Sequence, residues 1–166
     1  MSDFEQFWNL YSHSFPENER RDLDLQRQIM SHPAFQIRHY KNDDLYRGFL
    51  NTFHFTEFIF VDHLAVSPDQ RGTGIGSSIM NELIESTSKP IILEVERPTS
   101  NDAVRRIDFY ESLGFHLNVF DYIQPPIDEG RKAIPLFLMT YPERLDMKQF
   151  EKVRQIIHRN VYNSAS

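Results

Sequence analysis

The chain has 166 residues, 40% of them hydrophobic, and a formal net charge of −6. That length supports a real core, and the acidic balance argues against a nucleic-acid-binding surface. No cysteine is present, so disulfides and a nucleophilic thiol are both excluded. No apolar run approaches the roughly 20 residues of a membrane span, and the first residues lack a signal-peptide core. The expectation is one cytoplasmic domain over residues 1–166, with no membrane or nucleic-acid partner and no metal site.

In chain order, residues 3–14 carry Phe4, Phe7, Trp8 and Tyr11 at helical spacing. Such a stripe reads as core. Phe15-Pro16 breaks this helix, and residues 17–30 resume one with Leu23, Leu25 and Ile29 as apolar positions. Residues 34–40 read as a strand, 41–44 as a polar turn and 45–55 as the returning strand of a hairpin. Gly48 inside it marks a bulge or a close packing contact. Residues 58–66 follow as a third, antiparallel strand.

That strand ends in Leu64-Ala-Val-Ser-Pro68 and runs through a glycine-rich turn into a helix with Ile75, Ile79 and Leu83 on one face. Gly72, Gly74 and Gly76 let backbone approach a ligand without Cβ in the way. A helix start adds unpaired N–H groups and the positive end of the dipole, a seat for phosphate oxygens. The spacing discriminates among phosphate loops. A Walker A loop needs Lys after its last glycine, where this chain has Ser77, and a dinucleotide fingerprint would need its third glycine at Ser77.

Ile91–Glu96 then reads as a parallel strand buried on both faces. Ser100-Asn-Asp supplies N-cap candidates for a helix over residues 102–113, and Gly114 stands where a C-terminal glycine belongs. This strand–helix alternation implies two parallel strands in a mixed sheet. Residues 116–124 and 134–141 form a last hairpin, joined by a surface connection at 125–132. Residues 146–159 form a final helix, packed on the domain or on a second subunit.

Two stretches carry a resemblance. Gln70-Arg71-x-x-Gly74-x-Gly76, after its hydrophobic strand, resembles the acetyl-CoA-binding motif of the GNAT N-acetyltransferase superfamily. Phe109-Tyr-Glu-Ser-Leu-Gly-Phe115 resembles the signature of that superfamily's second CoA-contacting helix, and together they cover roughly residues 53–141. The resemblance implies an α/β fold: a mixed, mostly antiparallel central sheet flanked by helices, with a parallel pair splayed at the acetyl-CoA site.

It also implies acetyl-CoA as co-substrate. Gln70, Arg71, Gly72, Thr73, Gly74, Ile75, Gly76 and Ser77 would hold the diphosphate. Leu64, Ala65 and Val66 would line the pantetheine, with the amide of Leu64 or a neighbour polarising the thioester carbonyl. Tyr110 matches the family's general acid. For the base, Glu94 ranks first, Asp62 second and Glu96 third; His63, by alternation, points away from Asp62. Phe15, Glu19 and Arg20 fall where the family's acceptor pocket is bordered.

Two departures stand out. The family's first strand is missing or displaced. Its cofactor-contacting asparagine, seven residues before the tyrosine, is Ala103 here, leaving Asn101 as the candidate. The leading reading is direct N-acetyl transfer to a primary amine of a small molecule, peptide or protein, by a monomer or homodimer. The alternatives are a non-catalytic acyl-CoA-binding or sensing domain and a nucleotide-phosphate enzyme. The missing P-loop lysine argues against the second.

Overall fold

The computed structural model describes residues 1–164, which form two compact units, one of residues 1–89 and one from residue 90 onward. In the first, helix α1 (Asp3–Ser14) starts on a capping box: the Ser2 hydroxyl accepts from the Glu5 amide, and the Glu5 carboxylate accepts from the Ser2 amide. Its aromatic stripe is core, as expected. Phe7, Leu10 and Tyr11 are buried with Tyr46, Phe49 and Ala65, and the rings of Phe7 and Phe49 meet edge to face at 4.6 Å.

The helix expected over residues 17–30 is broken in two. A 3-10 turn (Glu17–Glu19) precedes helix α2 (Leu23–Ile29). The physical cause is local. Asp22 caps α2 by accepting from the Leu25 amide at 2.9 Å, and the Arg21 amide donates instead to the Tyr11 hydroxyl at 2.7 Å. These bonds hold residues 20–22 outside helical geometry.

Strands β1 (Phe35–Asn42), β2 (Leu45–His54) and β3 (Ile59–Val66) form an antiparallel meander with β2 in the middle. Two bulges interrupt it. Arg47 is the extra residue between Tyr40↔Gly48 and Lys41↔Tyr46, and Asp62 is the extra residue between Asn51↔His63 and Thr52↔Val61. Gly48 answers to both readings of its role. It adjoins a bulge, and a Cβ placed there would lie 2.5 Å from the Ala65 carbonyl oxygen. Helix α3 (Ile75–Ser86) buries Ile75, Ile79, Met80 and Leu83.

The second unit runs β4 (Ile91–Glu96), α4 (Asn101–Ser112), β5 (His116–Gln124), β6 (Ile134–Tyr141) and α5 (Met147–Val161). Here β6 lies between β4 and β5 and is antiparallel to both. Ser100 caps α4 by accepting from the Ala103 amide, and Gly114 follows it at φ 98°. The open choice for the last helix resolves in favour of its own unit: α5 buries Phe150, Val153, Ile157, His158 and Val161, and the Phe150 ring lies 4.7 Å from Phe120 on β5. The mixed α/β class with mostly antiparallel ladders is the one anticipated. No helix among the described residues is long and apolar enough to cross a membrane.

The close approach at Gly48 yields a prediction. Gly48→Ala forces β2 and β3 apart beside Ala65 and should cost about 1–3 kcal/mol, read as a fall of several degrees in thermal midpoint. An unchanged midpoint would mean that this backbone contact is slack.

Candidate active site

The strand-to-helix turn after β3 is built in steps. The Ser67 amide donates to the Arg47 carbonyl at 2.9 Å and its hydroxyl to the Tyr46 carbonyl at 2.7 Å, pinning the end of β3 to the bulged part of β2. Pro68 then opens a 3-10 turn (Pro68–Gln70), where its missing N–H costs nothing. The Thr73 hydroxyl closes back on the Gln70 carbonyl at 2.5 Å.

Gly72 and Gly74 take φ of 79° and 83°, the left-handed region, and a Cβ at either would meet no protein atom within 4 Å. Gly74 is the N-cap of α3 and supplies no side-chain bond. The other four α-helices are all capped by a side chain: Ser2, Asp22, Ser100 and Asp146. The first turn of α3 also lacks an acidic residue. The start of α3 therefore has neither a side-chain cap nor an acidic residue in its first turn, beside open space at Gly72 and Gly74. Arg71 is exposed, bound through Nε to the Val66 carbonyl at 3.3 Å, and forms no ion pair among the described residues. This donor set suits a diphosphate: several backbone N–H groups, one cation and room for oxygens.

The sequence candidates Leu64, Ala65 and Val66 lie on the last stretch of β3, paired with Leu50, Phe49 and Gly48. Gln70 ends the 3-10 turn, while Ile75, Gly76 and Ser77 form the first turn of α3.

A profile described as "Acetyltransferase (GNAT) domain" matches residues 32–117, which span the meander, the glycine turn, α3, β4 and α4. A solved structure from Bacteroides thetaiotaomicron, assigned to the GNAT acetyltransferase family, is 36% identical, with a TM-score of 0.90 over 97% of this chain and 92% of that one. The chain belongs to the GNAT family. YjbC of Bacillus subtilis (strain 168), described as an acetyltransferase, is 44% identical over 59 residues; that stretch is 34% of this chain and 30% of that relative. The fold is also similar to Arabidopsis thaliana Naa50, solved with the bisubstrate analogue CoA-Ac-MVNAL, at a TM-score of 0.63 and 20% identity over 86% of this chain and 93% of that one.

The GNAT signature residue Tyr110 sits on α4, buried, with its ring edge-on to Phe115 at 5.7 Å. Burial pushes its phenol up to about 12, only partly offset by the Arg106 charge. Asn101 is the first residue of α4 and exposed, while Ala103 is buried.

The three carboxylate candidates stand in different surroundings. Asp62 is gripped by Arg21, NH1 to Oδ2 at 2.7 Å and NH2 to Oδ1 at 2.8 Å, with both side chains about 97–98% buried by the exposures of 3% and 2%. Burial alone would push Asp62 up, but the Arg21 guanidinium and the His63 ring hold it well below the usual carboxylate range. A carboxylate so held is a weak proton acceptor. The expected opposition of His63 and Asp62 also gives way: because Asp62 is the bulged residue, strict alternation fails and His63 Nδ1 lies 3.0 Å from Asp62 Oδ2. His63 Nε2 meets the Glu19 carbonyl at 2.8 Å, and the Phe15 ring packs on the imidazole at 4.5 Å. Arg20 donates through Nε to the Phe15 carbonyl at 3.1 Å. Phe15, Glu19 and Arg20 thus gather around the Asp62–His63 pair.

Glu94, half-buried on β4, receives the Tyr122 hydroxyl on Oε2 at 2.5 Å and the Tyr162 hydroxyl on Oε1. Glu96 is exposed and paired with Arg106 at 3.0 Å. Sequence reasoning missed Arg21, Tyr122 and Tyr162. Arg21 sits in a run of charges that reads as solvated, and Tyr162 lies beyond the expected end of its helix. An amide inside the apolar run of β2, Asn51, was the available signal that this part of the meander is polar within; it is fully buried beside His63.

Asp62→Asn should strand the buried Arg21 guanidinium and cost about 3–5 kcal/mol at neutral pH. Because the folded-state carboxyl is depressed, its stabilisation is present above the unfolded value near ~3.9 and is lost as pH falls through the folded one. Urea unfolding should therefore show the gap between wild type and variant narrowing below about pH 4; a gap independent of pH would contradict the ion-pair assignment.

Proposed function

We propose that this chain is an acetyl-CoA-dependent N-acetyltransferase that passes an acetyl group directly to the primary amine of a small molecule, peptide or protein. The observation that carries the reading is the start of α3: a helix N-terminus left without a side-chain cap, opened by two left-handed glycines beside an exposed Arg71 that forms no ion pair among the described residues. Gln70 to Ser77 would take the CoA diphosphate there, and Leu64 to Val66 would run beside the pantetheine, the Leu64 amide serving as oxyanion donor. Asn101 would be an accessory contact. We read residues 1–166 as one catalytic domain.

The reaction itself needs three services. An alkylamine of pKa ~10 must lose a proton to attack. Glu94 is the acceptor we assign, directly or through water, since it is half-buried on β4 and takes hydroxyl donors from Tyr122 and Tyr162. Asp62 is excluded from that role by its ion pair, and in this reading it positions the Phe15–Arg20 segment beside the acceptor. The amine nitrogen then forms its bond to the thioester carbon, and the carbon–sulfur bond breaks with its electron pair on sulfur. Tyr110 meets that sulfur. A phenol at about 12 is a weaker acid than a thiol near ~8.5. Tyr110 accordingly donates a hydrogen bond to the departing thiolate and keeps its own proton, and the thiolate is protonated from solvent.

CoA release on mixing acetyl-CoA with a panel of amines and peptides tests the whole reading. Binding without turnover across the panel would favour an acyl-CoA sensor. In Gly74→Val, a β-branched side chain must occupy a left-handed position and fill the space before α3. Acetyl-CoA affinity should fall at least about tenfold, measured by calorimetry, and undiminished affinity would dismiss the loop. Tyr110→Phe should lower kcat about a hundredfold with little change in acetyl-CoA affinity. An unaltered kcat would remove Tyr110 from the chemistry.

A further inference from the structure

The last helix reaches back to β4. Helix α5 begins on its own capping box, the Asp146 carboxylate accepting from the Gln149 amide and the Gln149 side chain accepting from the Asp146 amide, each at 2.8 Å. It lays Phe150, Val153, Ile157, His158 and Val161 into the unit's core and ends at Tyr162, its C-cap residue. The Tyr122 ring of β5 lies against this helix, 6.2 Å from Phe150 and 5.3 Å from His158; the His158 ring meets Tyr162 edge-on at 6.2 Å. Two phenols from two elements converge on one carboxylate: Tyr122 on Oε2 of Glu94 and Tyr162 on Oε1. None of α5 falls within the stretch, residues 32–117, that matches the GNAT profile.

We infer that Tyr162 is a positioning residue: α5 delivers its hydroxyl to Glu94, fixing that carboxylate's rotamer and its readiness to take a proton. This rests on the reading of Glu94 as the base. Several features of the second unit support it. The Glu94 side chain is fastened at both oxygens, so its free lone pairs have a fixed direction, which a general base needs. Each phenol donates a hydrogen bond to the carboxylate, and burial with the Glu94 charge pushes the Tyr122 phenol well above 10. Each donated bond stabilises the ionised form of Glu94. Charged and titratable groups stand near the cluster. Arg154 of α5 acts on Tyr122 at a distance and is paired with Glu151 at 2.8 Å; His158 flanks both phenols; Glu96, two residues along β4, is tied to Arg106.

Removing one donated bond should make Glu94 more basic. In Tyr162→Phe, the acidic limb of the kcat–pH profile is expected to move up by about half to one pH unit, with acetyl-CoA affinity and thermal midpoint close to wild type. Carbon-13 NMR of glutamate-labelled protein, with the Glu94 signal assigned from Glu94→Gln, should show the same displacement without reference to turnover. An acidic limb and a carbon-13 titration that both stay in place would overturn the proposal, whether kcat falls uniformly or not at all. Glu94→Gln separates the two layers. If it abolishes turnover while Tyr162→Phe shifts nothing, the base stands and the role of α5 fails; if it turns over like wild type, the base assignment itself falls.

Discussion

Two hydrogen bonds from Ser67 set what the glycine turn can do. With its amide on the Arg47 carbonyl and its hydroxyl on that of Tyr46, Ser67 fixes the point at which β3 leaves its ladder. Both acceptors sit at the β2 bulge, next to Gly48, where β2 comes too close to Ala65 for any side chain. From that anchored point only a few residues separate the strand from α3, and Gly72 and Gly74 absorb the change of direction at φ values an L side chain resists. The outcome is a helix whose first amides have no side-chain cap. At this φ position 74 does not favour the Ser, Thr or Asp cap that steadies other helices by roughly 0.5–2 kcal/mol, and the helix start goes without one. Stability is forgone where a ligand's oxygens can be received, the pattern expected at functional sites.

Much of this was legible in the sequence because it is local. The apolar spacing of Phe4, Phe7 and Tyr11 gives α1, and the run from Ile91 to Glu96 gives β4, both with the observed bounds. The glycine turn could be read because its chemistry is backbone chemistry, encoded by residues next to one another. What failed was non-local or depended on a single inserted residue. The break before α2 arises from Tyr11, ten residues away, taking the Arg21 amide. The side on which His63 lies follows from a bulge at Asp62, which shifts alternation by one and leaves no mark in composition. Tyr162 and Glu94 are 68 positions apart, and no spacing rule joins them.

The same reasoning separates carboxylates that a sequence reading can only rank. Asp62 and Glu94 both sit on strands and both make short hydrogen bonds through each oxygen. They differ in the donors on their oxygens, a guanidinium and an imidazole on Asp62 and two hydroxyls on Glu94. Protonating Asp62 would leave the guanidinium of Arg21, a side chain only 3% exposed, without its counter-charge, so a proton is resisted by the cost of an orphaned cation. The hydroxyls of Tyr122 and Tyr162 on Glu94 can turn their donors or accept in return when that carboxylate takes a proton. One carboxylate is therefore committed to its ion pair with Arg21, while the other is held by hydroxyl donors that can yield to a proton. A group that must take a proton from an ammonium and release it in every cycle belongs in the second environment.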